Sequence, residues 1–102
     1  MYKALKQLFG IGPTVDLAGL IRDGAIVLDV RTPDEFEKAH FTGALNIPIE
    51  TLRDNLHRLP KDATIIACCN DGSKSWYAKN LLDASGYPRV YDIGNWLKLR
   101  QK

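Results

Sequence analysis

Residues 65–82 read IIACCNDGSKSWYAKNLL. The stretch opens as an apolar strand and closes as a helix, with Ala78, Leu81 and Leu82 spaced to share one face. The chain's only two cysteines, Cys68 and Cys69, stand at the joint. A strand that runs through a short polar loop into a helix is half of a βαβ unit, so the remainder must supply its partners.

It does so on both sides. AIVLDV, residues 25–30, is a nearly continuous apolar run, as expected of a strand covered on both faces. Before it, TVDLAGLIRDG reads as a short helix: Thr14 or Asp16 can cap it, Leu17, Leu20 and Ile21 share a face, and Gly24 stops it. RTPDEFEKAH, residues 31–40, opens a helix with Thr32 as cap, Pro33 at the first position and Glu35 completing a capping box. GALNIP, residues 43–48, is a short strand closed by Pro48. IETLRDNLHRLP, residues 49–60, is amphipathic through Leu52, Leu56 and Leu59. After the strand TIIAC, residues 64–68, and the helix ending at Gly86, RVYDI, residues 89–93, is a last strand. Tyr2, Leu5, Leu8 and Phe9 are spaced to share one helical face in an N-terminal extension, residues 1–13, and residues 94–102 read as a short helical tail.

Strands alternating with helices at this spacing predict an α/β fold: a small, mostly parallel sheet flanked by helices on both faces, in one domain over residues 1–102. The length of 102 residues, with 45% hydrophobic and 25% charged residues, suits one self-sufficient core. No apolar run approaches the roughly 20 residues that span a bilayer. The segment MYKALKQLFGIGP lacks the apolar stretch and small-residue cleavage site of a signal peptide, so the expected address is cytoplasmic, with no membrane partner. A net charge of +2, without an aromatic-interleaved basic stripe, gives no support to nucleic-acid binding.

Adjacent cysteines cannot frame a fold by disulfide, and His40 and His57 stand in no metal-ligand spacing to them. The thiols are thus buried filler or reactive groups, and position has to decide. In open parallel sheets, ligands sit beyond the carboxyl ends of the strands, which is where Cys69 lies. The loop from Cys69 to Ser75 turns tightly enough to aim backbone N–H groups inward, Gly72 permits the required conformation, and the following helix adds unpaired N-terminal donors. Such a concavity stabilises an anion at its centre. With the charge of Lys74 it should also lower the pKa of Cys69 below that of a free thiol. Cys68, alternating away from Cys69, reads as a buried small hydrophobe.

CNDGSKS resembles the active-site loop of rhodanese sulfurtransferases, in which a catalytic cysteine begins C-x-x-G-x-R-S before a helix. Cys69, Gly72 and Ser75 match, and Lys74 stands where that family usually has arginine. Upstream, VLDVRTPDEFEKAHFTGALNIP, residues 27–48, is similar to the family's D-V-R…E-F…G-H-I-x-G-A-x-N-I-P signature, with AHF in place of GHI. The tail IGNW replaces the family's more usual glycine pair. The resemblance implies a rhodanese-like fold and sulfur transfer. Cys69 would take the outer sulfur of thiosulfate or a persulfide donor and pass it to cyanide or a thiol, with no metal or organic cofactor. It implies a substrate-binding loop of Asn70, Asp71, Gly72, Ser73, Lys74 and Ser75, the backbone from Asn70 to Lys74 cradling the sulfur. Lysine offers one compact charge where arginine offers a planar fork, which favours a protein-bound persulfide over thiosulfate as donor. Asp71 is expected to point to solvent. Asp29 and Arg31, at another strand end, are expected to support the site as a buried or half-buried ion pair that fixes neighbouring loops. His40 is expected to bond backbone, and Trp96 to pack in the tail. A sulfur-relay protein is an expected partner, and a monomer the expected state, since one chain holds the whole loop.

Two alternatives stand beside this reading. A non-catalytic rhodanese-like binding module would explain the lysine. A loop starting at Cys68, CCNDGSK, has the form C-x5-K and resembles the C-x5-R loop of dual-specificity phosphatases and arsenate reductases, though it lacks their arginine.

Overall fold

The apolar runs become strands at β1 (Ile26–Asp29), β2 (Leu45–Asn46), β3 (Thr64–Cys69) and β4 (Arg89–Asn95) in a computed structural model that describes residues 15–100. They form one sheet in the order β2-β1-β3-β4, and every pairing is parallel. The N-terminal extension, the candidate cap Thr14, the side chain of Arg100 and the last two residues lie outside the described residues.

Alternation along the strands sends side chains to two cores. Leu28, Val30, Ile65, Ala67, Cys69 and Val90 face one side of the sheet, and Val27, Ile66, Cys68 and Ile93 face the other. Both sides are covered by helices. α1 (Leu17–Arg22) lays Leu17, Leu20 and Ile21 on the Cys68 side, and Asp16 caps it by accepting from Gly19 N at 2.9 Å. α2 (Pro33–Lys38) starts with the expected capping box: Glu35 N donates to Thr32 Oγ1 and Thr32 N donates to Glu35 Oε1.

The predicted helix over 49–60 is shorter than its leucine spacing suggests. α3 (Ile49–Leu52) gives way to a 3-10 stretch, Arg53–Arg58, with Asn55 at φ −120°. The Asn55 side chain donates to the Thr51 carbonyl at 2.8 Å, the kind of local competition that makes asparagine a poor helix former. Leu52 and Leu59 still reach the Cys69-side core, beneath α4 (Ser73–Ala84) with its buried Ala78 and Leu82. Each fully buried leucine contributes roughly 1.5–3 kcal/mol relative to exposure.

β1 and β2 are shorter than the apolar runs 25–30 and 43–48, whereas β3 and β4 extend beyond the sequence reading at ends that bear on the loop. β3 runs to Cys69 rather than stopping at Cys68. β4 runs to Asn95 because it contains a bulge: Ala67 pairs with Asp92, but Cys68 pairs with Gly94, leaving Ile93 extra. A second 3-10 segment, Trp96–Arg100, ends the described chain, and its Trp96 packs into the core on the Cys68 side.

Candidate active site

Cys69 closes β3 with its side chain toward α4, and neither cysteine is exposed. Three residues on, Gly72 sits at φ +94°, a left-handed conformation that turns its N–H back toward the strand end. That N–H donates to Cys69 Sγ at 3.0 Å. The helix starts immediately afterwards, and its third residue, Ser75, adds a second amide at 3.4 Å. The thiol donates to Ser75 Oγ at 3.3 Å. The sulfur therefore lies in the interior and under inward-facing amides at once.

The amides that reach it are those of Gly72 and Ser75, a narrower set than the expected run from Asn70 to Lys74. Ser73 N and Ser73 Oγ both donate to Asp71 Oδ1, at 3.0 and 2.9 Å. Asp71 is exposed, as expected, and these two bonds hold its carboxyl below the usual range. Asn70 also turns outward, its Nδ2 donating to Glu35 Oε2 at 2.8 Å and tying the loop to α2. Lys74 is half-buried, and its charge helps lower both the Glu35 and the Asp71 carboxyls. Asn70, Asp71 and Ser73 thus shape the loop, while Gly72 and Ser75 touch the sulfur.

Sequence reading missed one participant. Ser75 Oγ donates to Asp92 Oδ1 at 2.7 Å, and the same oxygen accepts Gly94 N at 3.0 Å. Alternation from Val90 puts Asp92 on the Cys69 side, paired with Ala67, and Ile93 on the other. An acid inside the apolar run VYDIG was the available signal, but what it meets depends on a pairing register that the sequence does not show.

Asp29 and Arg31 form the expected ion pair, and both are buried. Arg31 Nη2 meets Asp29 Oδ2 at 2.8 Å, Nε donates to Oδ1 at 2.9 Å, and Nη2 also donates to the Ala39 carbonyl at 2.8 Å. The guanidinium stacks 4.7 Å from the centre of the Trp96 ring. Asp29 pairs with Cys68 in the sheet, which places the ion pair on the Cys68 side, across the sheet from the loop. Arg31 therefore fixes the segment after α2, and Asp29 holds its guanidinium above the usual value.

Burial pushes the Cys68 thiol up to about 12, with the Asp29 charge adding to the effect. A loop beginning at Cys68 would need that thiol among the amides, and it faces the opposite core. His40 bonds the Phe36 carbonyl at 2.7 Å, as expected. Among the described residues no group of three or more His, Cys, Asp and Glu could hold a metal ion, and no helix is long and apolar enough to cross a membrane.

The family profile described as Rhodanese-like domain matches residues 14–96. Thiosulfate sulfurtransferase PspE of Escherichia coli strain K12 is 33% identical over 69 residues, which cover 66% of this chain and 66% of that protein, just under two thirds. Thiosulfate sulfurtransferase GlpE of Pseudomonas entomophila strain L48 is 32% identical over 89 residues, covering 87% and 81%. Among solved structures, the human single-domain sulfurtransferase TSTD1 is similar with a TM-score of 0.73 at 25% identity, over 90% of this chain and 99% of that one.

Proposed function

The chain belongs to the rhodanese-like domain family, and from that premise we propose that it is a sulfurtransferase with Cys69 as its nucleophile. The observation that carries the reading is the pair of amides, Gly72 N and Ser75 N, converging on one sulfur at the start of α4. Hydrogen-bond donors and a helix N-terminus at one point stabilise negative charge there, whether on a thiolate or on the outer sulfur of a persulfide.

The reaction runs in two steps. Cys69 thiolate attacks the sulfane sulfur of thiosulfate or of a persulfide donor, the sulfur–sulfur bond of the donor breaks, and sulfite or a thiolate leaves with the electron pair. Cys69 now carries a persulfide anion. Cyanide or a cellular thiol takes the outer sulfur and returns Cys69 to its thiolate, a ping-pong sequence. Lys74 supplies the steering charge for an anionic donor, shared with the nearby Glu35 and Asp71 carboxylates. A compact lysine so placed suits a protein-bound persulfide, delivered by a relay partner, better than free thiosulfate. A reducing, cytoplasmic setting suits a chain whose two cysteines are free.

A non-catalytic module is favoured by one observation, the complete burial of Cys69. A donor can touch that sulfur only when the loop from Asn70 to Lys74 or the cysteine side chain shifts. One experiment decides between the two. The protein is incubated with thiosulfate or a small persulfide, its intact mass is measured, and cyanide is added with an assay for thiocyanate. One added sulfur, released by cyanide, present in Cys68→Ala and absent in Cys69→Ser, supports the enzyme. No mass gain with either donor supports the module.

A further inference from the structure

Three carboxylates are hydrogen-bonded to residues of the sulfur loop: Glu35 to Asn70, Asp71 to Ser73 and Asp92 to Ser75. An anionic donor approaching Cys69 meets their summed field. Lys74 acts on Glu35 and Asp71, and one charge does not offset three.

The far rim of the loop supplies a second cation. Cys69 pairs with Asn95 in the sheet, and Asn95 Oδ1 accepts from Leu97 N at 2.8 Å, which turns the chain into the 3-10 segment Trp96–Arg100. Trp96 and Leu99 anchor that segment in the Cys68-side core and leave Lys98 exposed. Gly72 and Gly94 stand face to face: a Cβ on Gly94 would lie 3.8 Å from Gly72 Cα and 3.9 Å from Lys98 Nζ. The ammonium therefore reaches toward the residue whose N–H donates to Cys69 Sγ. Among the described residues neither ion pair, Arg31–Asp29 or Lys79–Asp83, involves Lys98.

We infer that Lys98 is a specificity-determining residue that draws an anionic sulfane-sulfur donor to the mouth of the Cys69 loop, an inference that rests on the sulfurtransferase reading. It acts by charge on the donor's approach and not on the step at sulfur. The shift that uncovers Cys69 leaves this pull in place, because Lys98 stands on another segment. For unit charges roughly 8 Å apart at a wet surface, the attraction is worth about threefold in rate at low salt. Thiosulfate carries two negative charges and a persulfide anion one, so Lys98 favours the first by about tenfold and the second by about threefold. It thereby returns to thiosulfate part of the grip that Lys74, in place of arginine, forgoes.

The test compares two alkylating reagents at Cys69. Iodoacetate and iodoacetamide each form one sulfur–carbon bond and expel iodide, and they differ by one negative charge. Their second-order rate constants are read by peptide mass mapping at low salt, and the ratio cancels thiolate content and loop opening. Lys98→Gln should lower the iodoacetate-to-iodoacetamide ratio about threefold and Lys98→Glu about tenfold, whereas Lys98→Arg should keep it. The differences should fade near 1 M salt, where the Debye length is about 3 Å. A ratio that stays in Lys98→Gln, or two rates that fall together, overturns the inference. Should Cys69 resist both reagents, sulfate is titrated against the nitrogen-15-labelled chain and followed at the Gly72 N–H. Binding about tenfold weaker in Lys98→Gln supports the inference, and equal binding or none overturns it. Neither readout needs sulfur transfer. A ratio that falls in a chain that no donor loads retains the charge effect and removes the sulfurtransferase reading. Thiosulfate loading at an unchanged rate in Lys98→Gln overturns the inference and leaves that reading standing.

Discussion

Cys68 and Cys69 are neighbours in the chain and belong to different chemistries. On the Cys68 side the thiol is packed with Val27, Ile66, Ile93 and Trp96, beside a buried ion pair whose guanidinium also donates to the Ala39 carbonyl. On the Cys69 side the sulfur is equally buried but lies under two amides and a serine hydroxyl that continues to Asp92. Residue type and burial are the same, so neither explains the difference. Period-two alternation of a strand sends one sulfur to a closed core and the other to the mouth of a βα turn.

The largest effect that could break this contrast is on the ion pair. Arg31→Ala leaves Asp29 buried without its cation and should cost about 3–5 kcal/mol, read as a lower urea midpoint. Sulfur loading per folded molecule should hardly change, since the lesion is across the sheet. A parallel loss of loading would show that the two sides are not independent.

Next comes the alkaline limb. In the folded chain Cys68 keeps its proton up to about 12, whereas in the unfolded chain it ionises near 9. Between those values the unfolded state binds fewer protons, so stability is full below about pH 9 and falls as pH rises, by about 1.4 kcal/mol per unit until about pH 12. Urea unfolding at several alkaline pH values should show that slope, and Cys68→Ala should remove the part due to this thiol.

A smaller effect sharpens the Cys69 side. Gly72→Ala places a side chain at φ +94°, which should cost about 1–2 kcal/mol. The new Cβ would stand 3.8 Å from Gly94 Cα, an ordinary contact, so the penalty is conformational. Because Gly72 N is one of the two amides on the sulfur, loading should fall along with stability, unlike in Arg31→Ala. The least effect belongs to the exposed Lys79–Asp83 pair of α4. Lys79→Ala should change stability by about 0.5 kcal/mol or less and leave loading alone.

Much of this contrast could be read from residues 25–93. The capping box at Thr32 and Glu35, the buried apolar strands and the turn at Gly72 are local signals, and each formed, the strands with shifted ends. Asp29 and Arg31 were legible as a pair because two residues on a strand end share a side. What stayed hidden depends on pairing between distant segments. The bulge at Ile93 exists only in relation to Cys68, and the bond from Ser75 to Asp92 depends on the pairing of β4 with β3. The break in the helix after Leu52 was missed for the opposite reason: a local competitor, Asn55, overrode a sound leucine period.

The two tryptophans divide along the same line. Trp76, in the first turn of α4, is 56% exposed, whereas Trp96 is 7% exposed and stacked on Arg31. Their fluorescence should resolve into a red-shifted and a blue-shifted component. Quenching of the first by a soluble reagent would register what happens at the loop, while the second would stay dark to it until the whole chain unfolds. The protein thus carries its own pair of optical gauges, one for events at the sulfur and one for its overall integrity.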